Sequence, residues 1–153
     1  MTMGERFALI AGLALTVAGC GQSAPTARQG DEVLPATESF RVFGDYELHF
    51  NALTTDRINA QMATEHDIVR SRNRVLLNVS VLKSQEVGVP VSVPADVRAS
   101  TRNLTAQLRT LSMREISDGD ALYYIAEMPI ENAETLTFTI EAVPESETDP
   151  LTV

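Results

Sequence analysis

Alternation with a period of two is the feature that most limits how this chain can fold. Leu136, Phe138, Ile140 and Ala142 alternate with Thr137, Thr139 and Glu141. Tyr46, Leu48 and Phe50 alternate with Glu47, His49 and Asn51, and Val75, Leu77, Val79 and Val81 share a face opposite Leu76, Asn78, Ser80 and Leu82. Successive side chains of a strand point to opposite faces, so these segments read as strands with one face in a core. On a helix the same residues would scatter around the axis and bury nothing together.

Three further regions fill in the pattern. Residues 87–104 are valine-rich, and Pro90 and Pro94 predict short, edge-like or interrupted strands there. Residues 108–116 and 121–128 flank Ser117-Asp118-Gly119-Asp120, and Asp-Gly between apolar runs signals a hairpin because glycine takes a positive φ without steric penalty. Residues 55–67 break the rule: Ile58, Met62 and Ala63 lie at helical spacing, which predicts a short helix between the first and second strands with Thr54 or Thr55 as N-cap. With no repeat and about six or seven strands, the chain is expected to be all-β, an antiparallel β-sandwich of immunoglobulin- or fibronectin-like architecture with one short inserted helix. The Cys–Trp–Cys framework of antibody domains is absent, so that likeness is architectural only.

The N-terminus reads as an address. Residues 7–18 form an apolar run of about a dozen residues, the length of a signal-peptide core and short of the roughly 20 needed to span a bilayer. Ala18 and Gly19 lead into Cys20, the one cysteine of the chain. Small residues before such a cysteine resemble a bacterial lipoprotein signal, in which the cysteine is acylated and becomes the first mature residue. Several acyl chains, each buried CH₂ contributing about 0.8 kcal/mol, would make a stable anchor. Gly21 rather than Asp follows, which by resemblance to Gram-negative sorting implies the outer membrane, facing the periplasm. The expected organisation is a lipoprotein signal peptide at 1–19, the lipidated cysteine and a flexible Pro/Gly-containing tether at 20–38, a β-sandwich at 39–144 and an acidic flexible tail at 145–153.

Charge removes several function classes. Cleavage after residue 19 would remove Glu5 and Arg6 together, so the net charge of −9 belongs to the mature chain. Phosphates repel such a protein and no basic stripe offsets that, which argues against nucleic acid or anionic lipid as a partner. Acylation would consume the only thiol, leaving no disulfide, thiol redox chemistry or cysteine metal site. The expected partners are the membrane, through Cys20, and an envelope protein.

Several strings resemble a family of short exported bacterial proteins known only as a domain of unknown function, number 4426. They are Phe43-Gly44-Asp45-Tyr46-Glu47 with His49; Ile68-Val69-Arg70-Ser71-Arg72-Asn73-Arg74; Asn78-Val79-Ser80-Val81-Leu82; Asn103-Leu104; and Arg114-Glu115-Ile116 followed by residues 119–127. The likeness covers about residues 39–144. It implies a periplasmic all-β domain and no known reaction. Family members usually resemble soluble periplasmic proteins with plain signal peptides, so Cys20 is a departure; Arg72 stands where the family commonly has lysine, which keeps the charge.

Candidate binding residues follow from chemistry. Arg70, Arg72 and Arg74 form the one basic cluster of an acidic chain. They could grip a carboxylate or phosphate bidentately, or pair with internal acids such as Glu115, Asp118 and Asp120; charge favours the pairing. Asn78 and Ser80 could line a pocket or face solvent. Arg114 and Glu115 adjoin in a strand and point to opposite faces, and Tyr123 and Tyr124 split the same way, one to the core and one outward. His49 and His66 are separated by the expected helix and show no ligand spacing, and Met62, Met113 and Met128 read as core residues, so no metal or other cofactor is expected. No Gly-x-Ser-x-Gly, His-Glu-x-x-His or phosphate-cradling glycine loop occurs. The reading is a non-enzymatic binding or envelope-assembly module recognising its partner around Tyr123, Tyr124 and the segment 70–74. A small-ligand or metal-binding lipoprotein using Arg70, Arg72, Asn78 and His49 is the alternative, and a hydrolase of unrecognised type is the third.

Overall fold

The computed structural model describes residues 38–153. The signal, Cys20 and tether readings lie outside the described residues. Among the described residues ten strands form two antiparallel sheets: β1 (Phe40–Phe43), β2 (Tyr46–Thr54), β3 (Arg74–Lys83), β4 (Val91–Ser92), β5 (Ala95–Asn103), β6 (Leu108–Leu111), β7 (Arg114–Asp118), β8 (Ala121–Pro129), β9 (Leu136–Pro144) and β10 (Leu151–Thr152). The first sheet runs β1-β2-β3-β8-β7, with β4 also paired to β3, and the second runs β10-β9-β5-β6. The chain is therefore an antiparallel β-sandwich, as the alternation predicts.

The alternating residues bury as expected. Leu48 of β2, Val79 and Val81 of β3, Ile140 and Ala142 of β9 and Val97 of β5 meet between the sheets. Burial of a Leu, Ile or Val side chain contributes about 1.5–3 kcal/mol, so this shared face holds the sheets together. Two tight hairpins fix register. Phe43 pairs with Tyr46 across Gly44-Asp45, and Asp118 with Ala121 across Gly119-Asp120. Gly44 and Gly119 each stand at φ +58°, where a side chain would be strained.

The structure corrects the sequence reading in four places. The segment 145–153 is no flexible tail: β10 pairs with β9, Leu151 is buried, and Val153 exchanges both backbone hydrogen bonds with Ile140 (2.7 and 3.0 Å). One apolar residue returning to the sandwich edge outweighs the acidic composition before it. The apolar run 108–116 is not one strand. It breaks at Ser112-Met113, where the chain leaves the second sheet as β6 and enters the first as β7. Pro90 and Pro94 bracket the short β4 as expected, but they do not interrupt β5, because both precede Ala95; β5 is a nine-residue interior strand flanked by β9 and β6. The expected helix is a 3-10 turn (Thr55–Arg57), with Thr54 at its N-cap position but making no side-chain capping bond, followed by α1 (Ala60–Glu65), whose N-cap is Asn59, accepting from the Gln61 N–H at 2.8 Å. Thr55 is instead fully buried, and Met62 points to solvent.

Candidate functional site

The outer face of the first sheet is split in two by the excursion between β2 and β3. Ile58, Ala63 and Ile68 of the excursion cover Leu76 of β3 and Ile125 of β8, with Leu53, Ile116 and Tyr123 packed around them. Thr55 fastens its base: its hydroxyl donates to the carbonyls of Val69 (2.8 Å) and Ser71 (3.1 Å) and accepts the Ser71 N–H (2.9 Å). This half of the face is closed.

The other half is open. Asn51 pairs with Asn78 and His49 with Ser80 across the β2–β3 ladder. Together with Ser39 and Phe50 these residues line a shallow recess of about 230 Å³. At its rim Phe40 of the edge strand stacks on the His49 ring, centroids 5.2 Å apart and planes 16° apart. Phe40 and Val42 are about half exposed, 49% and 58%. His49 Nε2 shares a 2.8 Å hydrogen bond with Glu47 Oε2. Ser80 lies opposite His49 in the ladder, and the two side chains share no hydrogen bond.

Four buried polar atoms of the described residues have no hydrogen-bond partner: Asp56 Oδ1, Arg74 Nε, Asn78 Oδ1 and Glu127 Oε2. Three of them belong to ion pairs. Arg74 Nε faces Glu127 Oε2 at 3.6 Å, Arg114 approaches the other oxygen of Glu127 at 3.6 Å, and Arg72 stands 3.6 Å from Asp56 Oδ2. The Asn78 oxygen has no such compensation, and its residue lines the recess.

The candidate residues therefore separate into three groups. His49 and Asn78 converge in the recess. Arg70, Arg72 and Arg74 do not join them: Arg70 donates to the Asp56 carbonyl at 2.7 Å, Arg72 pairs with the Asp56 side chain and Arg74 with Glu127. The expected partners Glu115, Asp118 and Asp120 are not the acids used; Asp56 comes closer because the excursion folds back on the sheet, and Glu127 because it is a diagonal neighbour of Arg74 across the β3–β8 ladder. Tyr123 packs under the excursion, and Tyr124 enters the core, where its oxygen accepts the Ala95 N–H at 2.8 Å. Burial raises the Tyr124 pKa above its usual value, and the neighbouring Glu115 adds to this. A grip on one anion by Arg70, Arg72, Asn78 and His49 together is not what this arrangement makes. Among the described residues no three His, Cys, Asp or Glu side chains cluster as metal ligands. Ser39, Phe40 and Asn51 at the recess escaped the sequence reading. Phe40 precedes a Gly44-Asp45 hairpin signal that would have placed it on an edge strand facing His49.

The sequence pattern of the domain of unknown function DUF4426 matches residues 40–153. The chain belongs to this family. It is also similar to the crystal structure of a DUF4426 family protein from Pseudomonas aeruginosa PAO1, with a TM-score of 0.63 and 31% identity, covering 74% of this chain and 87% of that one. No curated protein matches the chain. The family match runs through β10, so the C-terminal strand belongs to the domain.

Proposed function

We propose that this DUF4426 domain is a non-enzymatic binding module of the bacterial envelope, tethered by acyl chains on Cys20 and facing the periplasm, and that it recognises a protein partner through the open half of the first sheet. The observation that carries this reading is the side-chain oxygen of Asn78, buried without a hydrogen-bond partner in a residue that lines the recess, with half-exposed Phe40 and Val42 at its side. An unsatisfied buried acceptor costs about 1–3 kcal/mol. A partner's N–H entering the recess would recover that cost while Phe40 and Val42 supply apolar contact. The edge of β2 supports a polypeptide partner. β1 pairs only with residues 46–49, and beyond the Phe50 N–H, bonded to Ser39 at 2.8 Å, β2 has no neighbour on that side among the described residues. An extended segment can add there by main-chain hydrogen bonding.

The test is site-specific photocrosslinking in the producing cell, with the full chain carrying the crosslinker at Asn51 or, as a control, at Thr139 on the outer face of the second sheet. A discrete adduct is expected from Asn51, weakened by Asn78→Leu, and none from Thr139. No adduct at Asn51, or equal adducts at both, would refute the recognition face. The anchor is tested separately by metabolic labelling with a tagged fatty acid: Cys20→Ala should lose the label and stay unprocessed. Wild-type protein processed but unlabelled would rule the anchor out.

A further inference from the structure

The strand registers sort the charges by end. The end carrying the Gly44-Asp45 and Gly119-Asp120 hairpins holds Asp45, Glu86, Asp118, Asp120, Glu145 and Glu147, with Lys83 as its local cation. The opposite end, where Thr54 pairs with Val75, Arg74 with Pro129 and Asn103 with Leu136, carries Arg57, Arg70, Arg72, Arg102 and Arg109. Against these five arginines stand three acids, Asp56 and Glu134, paired with Arg72 and Arg109, and Glu131, which lies in the β8–β9 loop beside Arg109. A net charge of −9 therefore conceals one end that is locally cationic.

The β5–β6 turn projects from that end with Leu104 84% exposed and Leu108 68% exposed. Its shape is locked. The Asn103 side-chain oxygen accepts the N–H of Thr105 (3.1 Å), the N–H of Gln107 (3.0 Å) and the Thr105 hydroxyl (2.9 Å), and its amide donates to Gln107 at 2.9 Å. Ala106 sits in the left-handed region at φ +63° to complete the turn. Leu104 cannot fold back to cover itself without breaking this network. Arg102 is directly opposite Leu108 in the ladder, exposed on the same face.

We propose that the tip of the β5–β6 hairpin docks on a lipid surface bearing anionic headgroups, with Leu104 and Leu108 entering the apolar layer and Arg102 meeting the phosphates. A convex apolar tip flanked by guanidinium groups needs no complementary socket, and the charge matches an anionic interface. The second exposed apolar segment, with Val87 at 92% and Val89 at 78%, stands at the acidic end and is repelled from the same surface. The docking stands apart from the acylation of Cys20, although a tethered domain would meet the membrane at raised local concentration.

The chain contains no tryptophan, so a single introduced indole reports insertion without background. The experiment uses the full mature chain carrying Cys20→Ser, which has no acyl anchor, with Leu104→Trp or Val89→Trp, and phosphatidylcholine vesicles with or without phosphatidylglycerol. Leu104→Trp is expected to shift to the blue and be quenched by brominated acyl chains on phosphatidylglycerol vesicles only. Adding Arg102→Glu should weaken partition by about tenfold or more, since each charge near such a surface is worth roughly a factor of five, and Val89→Trp should stay water-like. Both tryptophans replace exposed side chains, and an unchanged far-ultraviolet spectrum verifies the fold. An unshifted Leu104→Trp, an equal response from Val89→Trp, or partition indifferent to Arg102→Glu would each overturn the proposal.

Discussion

Two side chains show how stability and function diverge at single positions. Asn78 is held in a face where its oxygen finds nothing to accept from. Replacing it with leucine, similar in volume, removes the unsatisfied acceptor, so Asn78→Leu should be neutral or stabilising by up to about 1 kcal/mol in urea denaturation. The same variant should lose the crosslink from Asn51, and this opposite pair of effects is what a recognition residue predicts. Tyr124 gives the complementary case. Its pKa is raised by burial, so in strong alkali the unfolded chain releases the phenolic proton before the folded chain does. The stability this group supports is complete below its unfolded pKa of about 10 and drains away as pH rises through the folded value. Urea midpoints should fall above pH 10 in wild type and fall less in Tyr124→Phe. At neutral pH that variant should be about 1–2 kcal/mol weaker, because the Ala95 N–H loses its acceptor.

At the scale of elements, the excursion and β10 are the two pieces whose attachment can be cut cleanly. The excursion covers Leu76 and Ile125, and Thr55 ties it down through three hydrogen bonds from a fully buried side chain. Thr55→Val keeps the shape and removes the bonds, leaving the Ser71 N–H without its acceptor. The expected cost is about 1–3 kcal/mol, and hydrogen exchange should quicken in residues 55–73 while β3 and β9 keep their protection. For β10, Leu151→Ala should cost about 2–4 kcal/mol by chemical denaturation, as for other buried leucines cut to alanine; a free tail would show no effect. These elements also mark where the sequence was hard to read. β2, β3 and β9 were legible because alternation records burial on one face. β10 offers a two-residue pattern after an acidic stretch, too short for any period to register. The β6–β7 crossing was hidden because apolar residues recur from Leu108 to Ile116 with no glycine or proline to mark where the strand changes sheets. In the recess, His49 and Asn78 were visible as polar residues in an apolar context. Their separation from the arginines was not visible, since it depends on the excursion folding Asp56 back toward Arg70 and Arg72.

For the molecule as a whole, the uneven charge sets a dependence on salt. Asp45 precedes β2 and Glu86 follows β3, strands that meet at one end, with Ser84 donating to the Asp45 carbonyl at 2.7 Å, and Glu147 accepts from the Tyr46 hydroxyl beside them at 3.1 Å. Exposed carboxylates crowded in this way repel one another, and folding concentrates them relative to the unfolded chain. Glu86 takes part in no hydrogen bond or ion pair among the described residues, so its reversal breaks no contact and acts through the field alone. Glu86→Lys should therefore raise stability at low ionic strength, by roughly a few tenths of a kcal/mol. The gain should disappear near 1 M salt, where the screening length falls to about 3 Å. Added salt should likewise raise the melting temperature of wild type more than that of the variant. The control is Arg102→Glu at the opposite end, where a cation is removed from among cations: it should not reproduce the gain at low salt if the acidic end carries the strain. Thermal melts of the three proteins across a salt series decide this, and parallel curves would show that the charges are too far apart, or too well solvated, to act as one field.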